Sequence, residues 1–367
     1  MSRIPRVLFD ETLAVNPAGT GAYVRGLRDA LAKRPEIELE MSALRSPALS
    51  GLDTTQRGLP VRLRNSLGHL RYYARVLPRR ARELRCDIIY CPSPPVPLTG
   101  RQPFLMTAFD LTSLDHRGTQ DRMSWLYSVA MLRRGVHRAA GICAISNAVG
   151  AELITHFGGL RARAVHTVYP GPNPELLAAV PVRPAIPDQP FVLMVGTMEP
   201  RKNHMTALRA LALHSQHHPD SPLMLVAAGS RGWRYAPVLR AVDSLAIRDR
   251  VVNLDNVQPG VLKWLYQHAR AVLFPSVYEG FGLPVLEALY LQCPVIAARI
   301  PSVIEIVGDE RRLLAPMDVN AWATALDQLL DSAPDPAAAV AGLERARRFT
   351  WDNSAAAAIE ALLASIT

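Results

Sequence analysis

Short apolar runs separated by longer amphipathic stretches recur along the whole chain, and this alternation limits the architecture more than any other feature. In the first half, runs at 7–9, 87–90, 104–107 and 141–144 read as strands. Helices are expected over 23–33 and 148–156, the second capped by Ser146-Asn147. A second set follows, with strands over 191–195, 223–228, 251–254, 271–274 and 294–297 and helices over 205–214, 262–269, 284–291 and 321–330. Such alternation predicts parallel sheets covered by helices on both faces. Between the halves, residues 179–190 read AVPVRPAIPDQP, with four prolines. Proline removes donors and disfavours helix, so this stretch is expected to link two domains. At 367 residues the chain is too long for one ordinary core. The expectation is an α/β protein of two doubly wound domains, residues 1–178 and 191–349, facing across a cleft. Ligands would bind beyond the carboxyl ends of the strands.

About half the residues are apolar and a fifth charged, which describes a globular chain rather than a disordered one. Residues 1–5 lead at once into Val7-Leu8-Phe9, too short for the apolar core of a signal peptide. No apolar run approaches the roughly 20 residues of a membrane span. Cys86, Cys91, Cys143 and Cys293 are scattered and read as free thiols of a reducing cytoplasm. The net charge is +9, and residues 57–85 hold nine arginines against one acid, Glu83. That stretch suits an anionic surface, such as lipid headgroups or a lipid-linked diphosphate, or is simply a solvated basic helix. Nucleic acid is not expected, because aromatic residues are few there (Tyr72, Tyr73) and no nucleic-acid motif occurs.

Three segments carry candidate chemistry. In 274–297 a strand ends at Phe274, and Glu279 precedes the glycine-rich turn Gly280-Phe281-Gly282. Pro284 then opens a helix, where its missing N–H costs nothing. Glycine lets backbone approach a ligand, and a helix N-terminus offers free N–H groups to phosphate. Glu287, eight residues after Glu279, can accept from a vicinal diol and Glu279 from a sugar. The alternative is an acid complementing the helix dipole and an exposed helix glutamate. In 192–208 a strand runs into Gly196, and Arg201-Lys202 stands before a helix, a pattern suited to a diphosphate. As leaving group that diphosphate gains charge in the transition state, which the two cations can favour. In 16–27, Gly19-Thr20-Gly21 joins the first strand to the first helix but is not a dinucleotide fingerprint. No Asp-x-Asp occurs, so the usual acidic clamp for a metal diphosphate is missing. No metal site is expected: His214, His217 and His218 have metal-like spacing but read as a solvated face at a helix end.

With these segments the chain resembles the retaining glycosyltransferases of family 4, a GT-B family of two Rossmann-like domains. The resemblance rests on Glu279-Gly280-Phe281-Gly282-Leu283-Pro284-Val285-Leu286-Glu287-Ala288 and on Gly196-Thr197-Met198-Glu199-Pro200-Arg201-Lys202-Asn203. Tyr169-Pro170-Gly171 and Glu305-Ile306-Val307-Gly308-Asp309 also fit. It implies that Arg201 and Lys202 bind the donor diphosphate, Glu287 the ribose and Glu279 the transferred sugar. Gly196, Val257 and the backbone of Gly280, Phe281, Gly282 and Leu283 would line the donor site. Gly19, Thr20 and Gly21 would pass near the diphosphate or acceptor from the first domain, and residues 350–367 would pack back on that domain. Catalysis would fall to Glu279, Arg201, Lys202 and Asp110, without metal or other cofactor.

One departure stands out. Many similar proteins have His-Asp after the strand at 104–107, where this chain has Phe109-Asp110. A phenyl ring cannot hydrogen-bond a sugar hydroxyl, and His116 is a candidate substitute. The GTMEPRKN form resembles mannosyl- and rhamnosyl-type members. The expected activity is therefore hexosyl transfer from a nucleotide-diphosphate sugar, GDP-linked by preference, to a glycan or lipid-linked acceptor in polysaccharide or lipopolysaccharide synthesis. The expected location is cytoplasmic, peripheral on the inner membrane face. A nucleotide-sugar-binding protein that has lost transfer is the alternative that Phe109 raises. A nicotinamide dehydrogenase lacks its glycine fingerprint here.

Overall fold

The computed structural model describes residues 3–16, 19–42, 68–115, 122–160, 165–331 and 335–366. It divides into two compact units, Met1–Gly171 with Phe349–Thr367, and Pro172–Arg348.

The first unit is built on six parallel strands: β1 (Arg6–Phe9), β2 (Glu38–Met41), β3 (Ile88–Cys91), β4 (Phe104–Ala108), β5 (Gly141–Ala144) and β6 (Val165–Thr167). Their order is β2-β1-β3-β4-β5-β6. Strand β3, Ile-Ile-Tyr-Cys, is buried at every position, as a central strand covered on both faces must be. Edge strand β2, Glu-Leu-Glu-Met, is half exposed and too polar to read as a strand. The Ser146 side chain accepts from Val149 N at 3.1 Å and caps the helix Asn147–His156. The helix Trp351–Ile366 belongs to this unit and packs on the helix Gly19–Leu31. They approach so closely that a Cβ at Gly26 would lie 2.3 Å from the Trp351 ring.

The second unit has five parallel strands, β7 (Phe191–Val195), β8 (Met224–Ala228), β9 (Val251–Leu254), β10 (Ala271–Phe274) and β11 (Val295–Ala297), ordered β11-β10-β7-β8-β9. Strand order reverses between β7 and β10 here, and between β1 and β3 in the first unit. A crevice opens at such a reversal, at the carboxyl ends of the two strands.

Three expectations need correction. The boundary falls after Gly171 rather than after residue 178. The helix Pro174–Ala178 joins the second unit because Leu176 is fully buried in that unit's core. Residues 179–190 are likewise not a free linker. Lys263 Nζ donates to the Leu177 and Ala179 carbonyls (2.6 and 2.9 Å), Val182 N to Gly260 O (3.0 Å), and Ile186 packs against the core. A strap with four prolines brings few N–H groups that need partners, so it can lie extended on the unit. The histidine face is also not uniformly solvated: His214 is fully buried, while His217 and His218 are partly exposed. The four cysteines are free and buried.

Candidate functional site

The crevice between β7 and β10 gathers Glu199, Arg201, Lys202 and Glu279. After β7 the chain turns at Gly196, whose φ of +130° favours glycine. A Cβ at Gly196 would lie 3.2 Å from Lys202 Cε, so glycine also leaves room for the lysine. The turn Pro200–Lys202 follows, and Asn203, left-handed at φ 55°, opens the helix His204–His217. After β10 the chain passes through 275–282 into the helix Leu283–Tyr290.

Side chains tie these two loops together. Both carboxylate oxygens of Glu279 hold cations: Oε1 the Lys202 ammonium at 2.7 Å, and Oε2 the Arg201 guanidinium. Arg201 also donates to Glu199 Oε1 (2.7 and 3.0 Å) and Tyr278 O (3.0 Å), and Lys202 lies 5.3 Å from the Phe274 ring centroid. Burial pushes the Glu279 carboxyl up, but Lys202 and Arg201 outweigh it and hold it below the ordinary carboxylate range. The cluster holds two cations and two carboxylates, so a bound diphosphate would have to exchange with carboxylate oxygens.

The 275–282 loop is held in place by further bonds. Asn203 Nδ2 donates to Pro275 O (3.0 Å) and Pro316 O (2.8 Å), Val277 N to Arg201 O (2.9 Å), and Ser302 Oγ to Glu279 O (2.7 Å). Gly282 has φ +126°, and a Cβ there would meet Ile306 at 3.3 Å. Phe281 is buried, which leaves only its backbone for a ligand.

Glu287 is not an exposed helix glutamate. It is 6% exposed, and Tyr266 Oη donates to its Oε2 at 2.9 Å. Burial raises its carboxyl to about 7, against the Tyr266 bond and a bond from the Asn173 backbone N–H. A carboxylate has about four acceptor positions, so two remain for a diol. Val257, after β9, is partly buried and packs against the core.

In the first unit, Gly19, Thr20 and Gly21 form the first turn of the helix Gly19–Leu31. A Cβ at Gly21 would sit 1.8 Å from Asn16 O, so packing alone requires that glycine. Phe109 follows β4, and its ring meets Tyr23 edge-on, centroids 5.0 Å apart. Asp110 Oδ1 accepts from Thr112 N at 3.0 Å, a turn-forming bond. His116 lies outside the described residues.

Residues 17–176 match the Glycosyltransferase Family 4 domain, and residues 181–343 match Glycosyl transferases group 1. The chain belongs to glycosyltransferase family 4. Among similar proteins of this family, the O-antigen chain mannosyltransferase B of Escherichia coli is 37% identical over 175 residues, covering 47% of this chain and 45% of that one. The D-inositol 3-phosphate glycosyltransferase of Corynebacterium diphtheriae is 34% identical over 219 residues, 56% of this chain and 51% of that one. The matches thus span about half the length of these relatives. In fold, this family 4 chain is similar to the sucrose-phosphate synthase of Thermosynechococcus elongatus, with TM-score 0.67, 21% identity and coverage of 96% and 97%. It is equally similar to Anabaena HepE, solved with UDP and glucose, with TM-score 0.67, 18% identity and coverage of 98% and 99%. Its two Rossmann-like halves are of the GT-B class.

Three residues of this family 4 chain escape a reading of the sequence. Asn203 bridges loops more than 70 residues apart, although its place after the basic pair gives a hint. His204, next in sequence, is buried, and burial with the Lys202 charge lowers its imidazole to about 4, keeping it neutral. Asp10, at the carboxyl end of β1, is buried and accepts from Tyr72 Oη (3.1 Å) and Tyr73 Oη (2.9 Å). Burial raises its carboxyl, against these and the Thr12 bonds. No local pattern marks a carboxylate whose partners lie sixty residues away.

Proposed function

We propose that this chain transfers a hexose from a nucleotide-diphosphate sugar to a glycan or lipid-linked acceptor, with retention of configuration, in polysaccharide or lipopolysaccharide synthesis. The observation that carries the reading is the Arg201–Lys202–Glu279 cluster at the β7/β10 crevice, beside the start of the helix His204–His217. Two cations held beside a pinned loop favour the charge that builds on a departing diphosphate, once they exchange Glu279 carboxylate oxygens for phosphate oxygens. Relatives described as O-antigen mannosyltransferases support the polymer context and a mannose or 6-deoxyhexose donor, GDP-linked by preference.

In this mechanism Arg201 and Lys202 take the diphosphate and Glu287 takes the ribose hydroxyls. Glu279, released in part from its cations, holds the sugar. The departing diphosphate oxygen receives the acceptor proton on the face from which it leaves. Metal is not required, because the two cations neutralise the leaving group. On the first unit, Asp110 and the Gly19–Gly21 turn are the candidate substrate contacts, and exposed arginines of 68–85 favour an anionic membrane face.

The test is a thermal-shift comparison of GDP, UDP, ADP and dTDP, followed by donor turnover with and without acceptor in excess chelator. The reading expects a GDP-selective shift and acceptor-dependent release of GDP. A shift without turnover would make the chain a nucleotide-sugar-binding protein, and no shift with any nucleotide would end the proposal.

A further inference from the structure

We propose that His214, His218 and Asp327 form a binding site for a divalent transition cation of the zinc class, at the end of the second unit remote from the donor cluster. Positions 214, 217 and 218 recur at i, i+3 and i+4 at the end of the helix His204–His217, which puts all three imidazoles on one side. The facing helix Val319–Asp331 brings Asp327 to the same side.

The donor atoms already converge. His214 Nδ1 is 2.6 Å from Asp327 Oδ1, His218 Nε2 is 3.5 Å from the same oxygen, and the three ligand atoms lie within 4.8 Å of one another. Zinc binds imidazole nitrogen and carboxylate oxygen at about 2.0–2.2 Å, so tetrahedral ligand atoms stand roughly 3.3–3.5 Å apart. Small rotations of His214 and Asp327 reach that spacing.

The surrounding groups match what oriented ligands need. Ser221 Oγ lies 2.9 Å from His214 Nε2, so with metal on Nδ1 the Nε2–H donates to the hydroxyl. His217 Nδ1 lies 2.9 Å from Asp327 Oδ2 and holds the carboxylate by its other oxygen. Arg250, the nearby cation, is turned to the backbone carbonyls of Pro219 and Ser221. The order Ser221–His214–Asp327 also matches a hydrolytic triad, but Ser221 is buried and its Oγ accepts from Leu223 N at 3.3 Å, which leaves no access for a substrate.

The cation would clamp two helix ends and stabilise the second unit. It lies about 20 Å along the helix from Lys202, at 1.5 Å per residue, and takes no part in sugar transfer.

The experiment uses the full chain, stripped with chelator and titrated with zinc or magnesium, read by calorimetry and by melting temperature. One zinc per chain is expected, with a rise of about 5 °C or more at a hundredfold excess over Kd. Magnesium, which prefers oxygen ligands, should do nothing. His218→Ala, at a partly exposed position, should lose the zinc-dependent rise while keeping the zinc-free melting temperature, and Asp327→Asn should lose it too. No rise in the wild type, or zinc bound equally well by His218→Ala, overturns the proposal; the latter would mean adventitious binding by surface groups.

Discussion

Glu279 holds two cations at once, and that decides what its removal should do. Glu279→Ala releases Arg201 and Lys202 from a competitor, so affinity for a bare nucleoside diphosphate should hold or rise while turnover falls. Arg201→Ala and Lys202→Ala should each weaken that affinity by about 1.5–3 kcal/mol, the worth of a hydrogen bond to a charged group. Calorimetric titration with GDP separates these outcomes. Equal losses in Glu279→Ala and Glu287→Ala would show the assigned roles to be wrong, and wild-type affinity in both cation variants would remove the diphosphate site. Phe109 offers a second test at this scale. On the proposed function the Phe109 ring suits a sugar face without a hydroxyl, since an unpaired buried hydroxyl costs roughly 1–3 kcal/mol. Transfer from the 6-deoxy donor should exceed that from GDP-mannose, and Phe109→His should reverse the order. A wild-type preference for GDP-mannose that persists in Phe109→His would detach this residue from sugar choice.

At the scale of elements, the helix Leu283–Tyr290 carries a pH signature. The folded Glu287 carboxyl is raised to about 7 from an ordinary 4.5. Its contribution to stability is fully present below about pH 4.5 and is lost as pH rises through 7, above which the fold holds a buried charge. Glu287→Gln should therefore melt higher than the wild type at pH 8, with the difference vanishing below pH 5. If the ionised carboxylate accepts the ribose hydroxyls, wild-type GDP affinity should increase from pH 6 to pH 8, and this slope should disappear in Glu287→Gln. A flat wild-type profile would argue against a ribose contact. The contact between the helices Gly19–Leu31 and Trp351–Ile366 is a second element-scale case. Gly26→Ala puts a methyl 2.3 Å from the Trp351 ring, and overpacking of this kind costs about 1–3 kcal/mol. Chemical denaturation should show that loss, and an unchanged midpoint would mean that the final helix shifts freely.

For the whole molecule the dominant property is charge, +9 over 367 residues. Among the described residues, Arg71, Arg75, Arg79, Arg82 and Arg85 are exposed on or beside the helical segment that ends with Leu77–Glu83. Tyr72 and Tyr73, in its π-wound turn Tyr72–Val76, fasten that segment to Asp10. A basic face held rigidly by the sheet should bind anionic vesicles and release them as salt shortens the screening length to about 8 Å at 0.15 M. Equal sedimentation with neutral and anionic vesicles at low salt would dismiss the membrane face. Among the described residues no helix is long and apolar enough to cross a membrane.

The central strands and the two glycine-bearing turns are legible in the sequence, because each depends on a local pattern. A strand buried on both faces must be a continuous apolar run, as in β3, β7 and β10. A polar edge strand such as β2, Glu-Leu-Glu-Met, need not be, and carries no such run. Tertiary structure alone decided what depends on partners distant in sequence. Leu176 moved the boundary by packing into a core formed from later strands. Tyr266 and the Asn173 amide turned Glu287 from a surface glutamate into a buried acid. Asp327, more than a hundred residues on, pairs with the buried His214. Burial and pairing are sums over neighbours that only the folded chain brings within reach, whereas propensity and periodicity belong to the segment itself.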